Sequence, residues 1–432
     1  MISVLKNNIS NEKKYDLIFV IDIENKINID ITKNVYKFSN YIDFTKFILK
    51  NNINNEMNIC ITGKNSIKEI NNYKYLLTFL LFYKEKLSEL KESQNKINNN
   101  LLKDDDNNIV KEIINDFIDL NKDGKYIRGT LIALGYYLGS NNNDLTYLDL
   151  AYAYEMFQTS VLIHDDIIDN ARIRRGKETI PRRLTNKYLS KNKKTSYHKD
   201  VLTLANSMGI CAGDLGFYEA NKLLINSYGK SKNFLNLISF YNDIIIKTIK
   251  GEIIDVYLPF VGKYNYSEVL EKDILDIYHL KTSWYTIIGP FILGYILSGK
   301  KSNKKLEEIL NKIGIAFQIK DDILGIFSSS LVIGKSNTSD IEEFKQTILY
   351  SYIVNTSYKK EFLKIYGKKN ISEKELLKIR NLFEVSGAYN YANNYLESLY
   401  KEVLKNIDKL EILDDVKDIL KGLLIYINSR EK

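Results

Sequence analysis

Proline, cysteine and histidine are scarce in this sequence of 432 residues, which contains 3 Pro, 2 Cys and 3 His. Few prolines leave long helices uninterrupted, because proline removes a backbone donor and breaks a helix interior. Cys60 and Cys211 form neither a disulfide framework nor a metal or redox motif, so we expect a reducing compartment, the cytoplasm. The shortage of His and Cys also argues against a zinc site.

Long uncharged runs are rare as well. Residues 282–299 carry no charge over 18 positions, close to the length of a membrane span, but Gly289, Pro290 and Gly294 interrupt them. We therefore expect a buried core helix and not an integral membrane protein. The N-terminus lacks the apolar core of a secretory signal. The net charge of +8 is spread along the chain with acids interleaved, so no nucleic-acid partner is predicted.

The chain changes character after residue 71. Short β-type apolar runs at 16–24 and 57–63 flank a helical pattern at 41–50, which predicts a small N-terminal α/β appendage, residues 1–71, without an assigned role. Residues 72–432 read as helices, among them 146–169, 284–298, 340–365 and 373–404. The predicted architecture of this part is an all-α bundle.

The first group of chemically suggestive residues is Asp165, Asp166 and Asp169, at the end of an apolar helix. Asp165 and Asp169 share one helix face because they are four residues apart. Two carboxylates about 6 Å apart repel each other by roughly 3 kcal/mol at an effective dielectric of 20, so a bridging cation or screening water is needed. Carboxylate oxygens suit Mg²⁺, which shares its coordination sphere with substrate phosphates.

A second acidic pair, Asp321 and Asp322, lies about 155 residues further along, again late in an apolar helix, with Gly325 in place of an acid four residues after Asp321. Basic residues accompany both acidic groups. They are Lys125, Arg128, Arg174, Arg175, Lys177, Lys281 and Lys335. Any one of them is typical of a solvated surface. Together with two acidic groups they indicate metal binding and separate sites for two anionic substrates.

In this order and spacing, the motifs resemble those of the trans-isoprenyl diphosphate synthases, the family of farnesyl, geranylgeranyl and longer polyprenyl diphosphate synthases. The resemblance runs from about residue 85 to the C-terminus. It implies an isoprenoid synthase-type helical bundle around a central cavity, usually a homodimer. It also implies that isopentenyl diphosphate is condensed with an allylic diphosphate, with Mg²⁺, in three ions, bound alongside the diphosphate.

The resemblance also assigns roles to individual residues. The implied catalytic residues are Asp165, Asp166, Asp169, Arg174, Lys281 and Asp321. The implied metal ligands are Asp165, Asp169 and Asp321. The implied substrate contacts are Lys125, Arg128, Gln158, Arg174, Arg175, Lys281, Thr282, Gln318 and Lys335. Arg430, in the basic C-terminal tail, is expected to help close the site.

Three positions depart from the family pattern. Gly129 stands where proline is usual, Glu252 where glutamine is usual, and Gly325 where the second motif has its last acid. We expect Gly325 to weaken the third metal site without abolishing activity. Two alternatives remain at this stage: a class I terpene cyclase, and a non-catalytic subunit of a heteromeric synthase.

Four residues before the first acidic motif are predicted to set product length: Ser160, Val161, Phe157 and Met156. The growing chain is expected to run down the helix that carries Asp165. Ser160 is small, so the pocket should stay open past farnesyl diphosphate, with Met156 and Phe157 as its floor. The alternative is a floor set by another helix or by the partner subunit. The predicted product is geranylgeranyl diphosphate or a longer polyprenyl diphosphate.

Overall fold

The computed structural model describes residues 2–6, 15–22, 35–63, 65–101, 107–190, 195–264, 269–328 and 337–430. The predicted fold class is confirmed: the chain forms a helical bundle and carries a small set of N-terminal strands. Two compact units are distinguished, one made of Met1–Ser88 with Leu396–Glu431 and the other of Glu89–Tyr395. The sequence-based division at residue 71 stays a prediction.

The first unit contains a parallel sheet of four strands in the order β1-β4-β2-β3. Its elements are β1 (Ile2–Lys6), β2 (Leu17–Ile21), β3 (Val35–Phe38), α1 (Tyr41–Lys50) and β4 (Ile59–Gly63). The sequence predicted β2, α1 and β4, and missed the other two strands. β4 is buried throughout, as expected of a parallel strand with neighbours on both edges.

Helices complete the first unit. They are the beginning of α2 (Ile67–Leu101) and, from the C-terminal part of the chain, the end of α16 (Ala388–Ile407) and all of α17 (Asp414–Ser429). A Cβ atom at Gly422 would lie 2.0 Å from the carbonyl oxygen of Tyr75. Only glycine therefore allows α17 to approach α2 this closely.

Among the described residues of the second unit, the regular elements are helices and one two-stranded hairpin. Its first elements are the end of α2, α3 (Asn108–Lys122), α4 (Ile127–Ser140), α5 (Leu148–Ile168), β5 (Ile173–Arg174), β6 (Lys177–Glu178), α6 (Ile180–Leu189), α7 (Thr195–Tyr228) and α8 (Phe234–Tyr264). After these come α9 (Glu271–Ile277), a π-helix (Tyr278–Ile288), α10 (Gly289–Leu297), α11 (Lys304–Phe327), α12 (Ser339–Glu342), α13 (Ile348–Ile353), α14 (Lys359–Phe362), α15 (Glu373–Val385) and the start of α16.

Two predicted helices were wrong in their extent. Residues 340–365 form three short helices. Phe344 adopts a left-handed conformation (φ 59°), and the Thr347 side chain caps a new helix at Ile348 by accepting a hydrogen bond from the Tyr350 N–H. Residues 373–404 break at Gly387 (φ 86°) between α15 and α16. The uncharged stretch after Lys281 is divided between the π-helix and α10, and α10 is almost entirely buried. Within the described ranges, no helix is long and apolar enough to cross a membrane.

Candidate active site

The first acidic motif lies at the C-terminal end of α5. Asp166 points inward with a side chain that is 1% exposed, while Asp165 and Asp169 are 16% and 20% exposed. Burial raises the pKa of Asp166 to about 6. Burial also acts to raise the pKa of Asp165, but Lys281, Arg174 and Lys345 outweigh it and hold that pKa well below its ordinary value.

A tight hairpin presents Arg174 to these acids. Arg175 (φ 54°) and Gly176 (φ 77°) occupy the turn between β5 and β6, and both are left-handed, as a two-residue type I′ turn requires. The guanidinium group of Arg174 donates from Nε to Asp166 Oδ1 at 2.7 Å and from a terminal nitrogen to Asp165 Oδ2 at 3.1 Å. One arginine therefore binds two of the three acids of the motif, Asp165 and Asp166.

Two acids on α8, Glu252 and Asp255, lie at the same site. Lys281, on the π-helix, lies between the helices, with its Nζ atom 2.5 Å from Asp255, 2.7 Å from Glu252 and 3.4 Å from Asp165. The close approach depends on Gly251, where a Cβ atom would lie 2.6 Å from the backbone nitrogen of Lys281. Lys281 thus joins the end of α5 to α8.

Lys345 is a site residue that the sequence analysis missed. Its Nζ atom lies 3.2 Å from Asp255 and 3.6 Å from Asp169. Burial acts to lower the pKa of Lys345, but the surrounding carboxylates outweigh it and raise that pKa. Lys345 follows Phe344, whose backbone is left-handed. The local sequence does not signal that conformation, so the position of Lys345 is seen only in the folded chain.

The donor chemistry fits a hard divalent cation. Three cationic side chains, those of Arg174, Lys281 and Lys345, pair with six carboxylates, so three negative charges are in excess when all are ionised. The carboxylates are those of Asp165, Asp166, Asp169, Glu252, Asp255 and Glu343. All the donors are oxygens, as Mg²⁺ and Ca²⁺ prefer. Across the described residues, no group of three or more His, Cys, Asp or Glu side chains is arranged to share one ion. The lysines and Arg174 pair with the carboxylates instead.

The second acidic motif belongs to a hydrogen-bonded chain. The hydroxyl group of Tyr278 donates to Asp322 Oδ2, and Gln318 Nε2 donates to Asp322 Oδ1 at 2.8 Å. Thr282 in turn donates to Gln318 Oε1 at 2.5 Å. Burial raises the pKa of Asp322 to about 8. Asp321, its partly buried neighbour on α11, stays a predicted metal ligand.

A second basic group surrounds Glu155, which is fully buried on α5 and which the sequence analysis also missed. Arg128 stacks over the ring of Tyr285 at 4.1 Å and donates to Thr286 Oγ1 at 2.7 Å, while its Nε atom is buried without a hydrogen bond. Burial raises the pKa of Glu155, and the charges of Arg128 and Arg175 oppose that rise. The charges of both arginines therefore act on the same buried carboxylate.

The remaining predicted residues differ in how far the structure describes them. Gln158 is partly buried on α5, and Lys125 is exposed just before α4. Lys335 lies outside the described residues. Arg430 belongs to the first unit, so its predicted role at the site stays a prediction.

Known proteins resemble this chain over most of its length. The family model described as polyprenyl synthetase matches residues 107–383. The geranylgeranyl diphosphate synthase of Sulfolobus acidocaldarius is 28% identical over 317 residues, which cover 72% of this chain and 88% of the relative. The farnesyl pyrophosphate synthase of Artemisia annua is 26% identical over 343 residues, covering 76% and 92%.

A solved structure has a similar fold. The crystal structure of geranylgeranyl pyrophosphate synthase from Corynebacterium glutamicum, complexed with isoprenyl diphosphate and magnesium, has a TM-score of 0.69 and 25% identity and covers 81% of this chain and 97% of its own. This chain belongs to the polyprenyl synthetase family, which confirms the resemblance to trans-isoprenyl diphosphate synthases. It is a prenyltransferase, one of the enzymes that transfer alkyl groups in isoprenoid biosynthesis.

The buried carboxylate of Glu155 gives the backbone of Gly129 a role that proline could not fill. The backbone N–H of Gly129, in the first turn of α4, donates to Glu155 Oε1 at 2.9 Å. Proline is tolerated in a first helical turn but has no N–H to donate. A Cβ atom at this position would also lie 2.8 Å from Leu90 Cδ1, the flexible end of a side chain.

Gly129→Pro should therefore unfold more easily than Gly129→Ala. Both variants crowd Leu90, but only proline removes the hydrogen bond to a buried charge, which costs about 1–3 kcal/mol in the free energy of unfolding. Urea denaturation followed by circular dichroism measures the difference. Equal stability of the two variants would contradict the proposed role of the Gly129 N–H group.

Proposed function

We propose that this protein condenses isopentenyl diphosphate with an allylic diphosphate, head to tail and in the trans configuration, and that it requires Mg²⁺. The observation that carries the proposal is the cluster in which Asp165, Arg174 and Lys281 meet at the end of α5. The product is geranylgeranyl diphosphate or a longer polyprenyl diphosphate, formed in the cytoplasm.

The residues of the acidic cluster suit the allylic substrate. Asp165, Asp169 and Asp321 would hold Mg²⁺, in three ions with the diphosphate, and the bound metal would supply the positive charge that weakens the allylic C–O bond. Arg174, Lys281 and Lys345 already converge on this site, and their cationic groups can turn from the carboxylates to the oxygens of an arriving diphosphate. Their charges then stabilise the departing pyrophosphate.

The second basic group suits isopentenyl diphosphate. Arg128 and Arg175, with Lys125 at the entrance, offer a separate anion site. Hydrogen bonds to Thr286 and to the Leu120 carbonyl keep the two arginines in position, and the charge of Glu155 acts on both. The double bond of this substrate attacks the allylic carbon as its C–O bond breaks. The resulting cation loses a proton to the released pyrophosphate, so no protein nucleophile is needed. Apolar helix surfaces keep water from the cation.

We also propose that the enzyme is a homodimer built on α7 and α8. Apolar side chains remain exposed at helical spacing on both helices, at Leu204, Tyr218, Ile225, Ile246, Ile249, Ile253, Val256, Tyr257 and Phe260. An exposed face of this kind is large for a monomer. A second copy would cover it and would fix α8, the helix that carries Glu252 and Asp255.

Asp165→Ala should lower turnover at least about 10²-fold while the fold is retained, because the cluster loses the carboxylate that Arg174 and Lys281 share. The assay measures incorporation of labelled isopentenyl diphosphate with farnesyl diphosphate as primer, with and without Mg²⁺. Asp149→Ala, at the other end of α5, is the matched control and should remain active. Wild-type protein that forms no prenyl product would refute the function and favour a non-catalytic subunit, whereas cyclic products from the primer alone would indicate a terpene cyclase.

Substitutions at the two anion sites should affect different substrates. Arg175→Ala and Lys125→Ala should raise KM for isopentenyl diphosphate by about 10- to 100-fold, the effect of one lost hydrogen bond to a charged group, and Lys281→Ala should do the same for the allylic primer. Lys263→Ala, an exposed lysine on α8, should change neither constant. Equal effects of all three variants on both substrates would contradict the assignment.

Charged substitutions on the exposed face of α8 test the proposed dimer. Sedimentation velocity of the wild-type protein should show a dimer, and the double substitution Ile253→Asp, Tyr257→Asp should shift it to a monomer, because buried carboxylates without partners are costly. Leu377→Asp replaces an equally exposed leucine on α15 and should leave the dimer intact. A monomeric wild-type protein would rule the proposal out.

A further inference from the structure

The length of the product depends on the space below Asp165, where α5 offers two neighbouring stripes of side chains. Residues four apart share a helix face, so Ser160 stands above Met156 and Val161 above Phe157. The hydroxyl group of Ser160 is fully buried and donates to the carbonyl of Met156 at 3.1 Å. The two stripes face different neighbours, which decides where a prenyl chain can go.

Aromatic rings pack around Phe157 and fill the space beside its stripe of side chains. The ring of Phe157 lies 5.3 Å from Tyr154, 5.5 Å from Tyr285, 5.7 Å from Phe217 and 5.8 Å from Tyr241, measured between centroids. All five side chains belong to one packed cluster. Removing Phe157 alone would leave the four other rings around the gap.

The stripe that contains Ser160 meets a different part of α7, at Gly216, and it also meets α3. A Cβ atom at Gly216 on α7 would lie 2.3 Å from Ser160 Oγ and 2.3 Å from Cε2 of Phe117 on α3, so those two atoms are within twice that distance of each other. The Phe117 side chain is 3% exposed. Its ring therefore fills the space beside Ser160 that the small serine leaves on α5.

Little room remains beyond this ring. A cavity of about 20 Å³ lies next to it, bordered by Phe117, Met156, Gly216 and Ile114. That volume holds about one water molecule and cannot accept an isoprene unit. The Phe117 ring lies near the Ser160 hydroxyl and also borders the cavity beside Met156, one helical turn lower, so it stands between the two levels.

We infer that Phe117 is a chain-length-determining residue, which ends the prenyl tunnel from α3 and not from the helix that carries the first acidic motif. The inference rests on the proposed function. A growing tail that descends past Ser160 meets the Phe117 ring before it meets Met156 or Phe157. Elongation beyond this level requires the ring to move, which favours geranylgeranyl diphosphate over longer products.

Phe117→Ala should lengthen the product by at least one isoprene unit, because it joins the space beside Ser160 to the cavity beside Met156. The ratio of products with 25 or more carbons to the 20-carbon product should rise at least about tenfold, a modest selectivity for the methylene groups gained. Chromatography of dephosphorylated products, made from farnesyl diphosphate and labelled isopentenyl diphosphate, measures the ratio. Ile118→Ala removes a buried neighbour on α3 and should leave the ratio unchanged.

A relocated ring provides the complementary test. The double variant Phe117→Ala, Ser160→Phe supplies the aromatic group from α5 at the same level, and it should restore the wild-type product distribution. If Phe117→Ala does not fold, as judged by circular dichroism, Phe117→Leu carries the test and should give a smaller shift in the same direction. A folded, active variant at Phe117 with the wild-type distribution overturns the inference, whereas wild-type protein without prenyl transfer overturns the proposed function instead.

Discussion

The ion pairs around Lys281 are the interaction on which the rest of the site depends. Asp165, Glu252 and Asp255 come from two helices that would repel each other if their carboxylates stood alone, and a buried charge without a partner costs several kcal/mol. Lys281 offsets that repulsion and brings the end of α5 to α8. The same geometry brings the cationic groups of Arg174 and Lys281 to one carboxylate, that of Asp165.

The π-helix explains how one short segment serves both acidic regions. Lys281 contacts the carboxylates of α5 and α8, while the next residue, Thr282, donates to Gln318 and so joins the hydrogen-bonded chain that ends at Asp322 and Tyr278. Hydrogen bonds between residues five apart widen the helix, and such segments are frequent at functional sites. Two consecutive side chains, Lys281 and Thr282, thereby contact both acidic regions.

Features that depend on local residue spacing could be predicted from the sequence. The helix that ends near Asp165 and Asp169, and the arginine that follows it, are read from intervals of four and nine residues. The hairpin that carries Arg174 was not predicted. Lys345 and Glu155 could not be found this way. Lys345 arrives through a left-handed residue in a region that periodicity assigned to one continuous helix, and Glu155 acquires its role only when α4 places the Gly129 N–H group and Arg128 beside it.

Gly325 shows why a motif on one helix is an incomplete description of a site. A Cβ atom at this position would lie 2.4 Å from Asp340 Oδ2, so the space next to the missing acid already holds a carboxylate, contributed by α12. Asp340 also acts on the buried Asp322, whose pKa its charge helps to raise after the larger effect of burial. An aspartate at 325 would place a further like charge against Asp340, at an unfavourable short distance. The electrostatic field of a site depends on all the charges nearby, whichever helix carries them. Asp340 on α12 therefore contributes to the field around the second acidic motif.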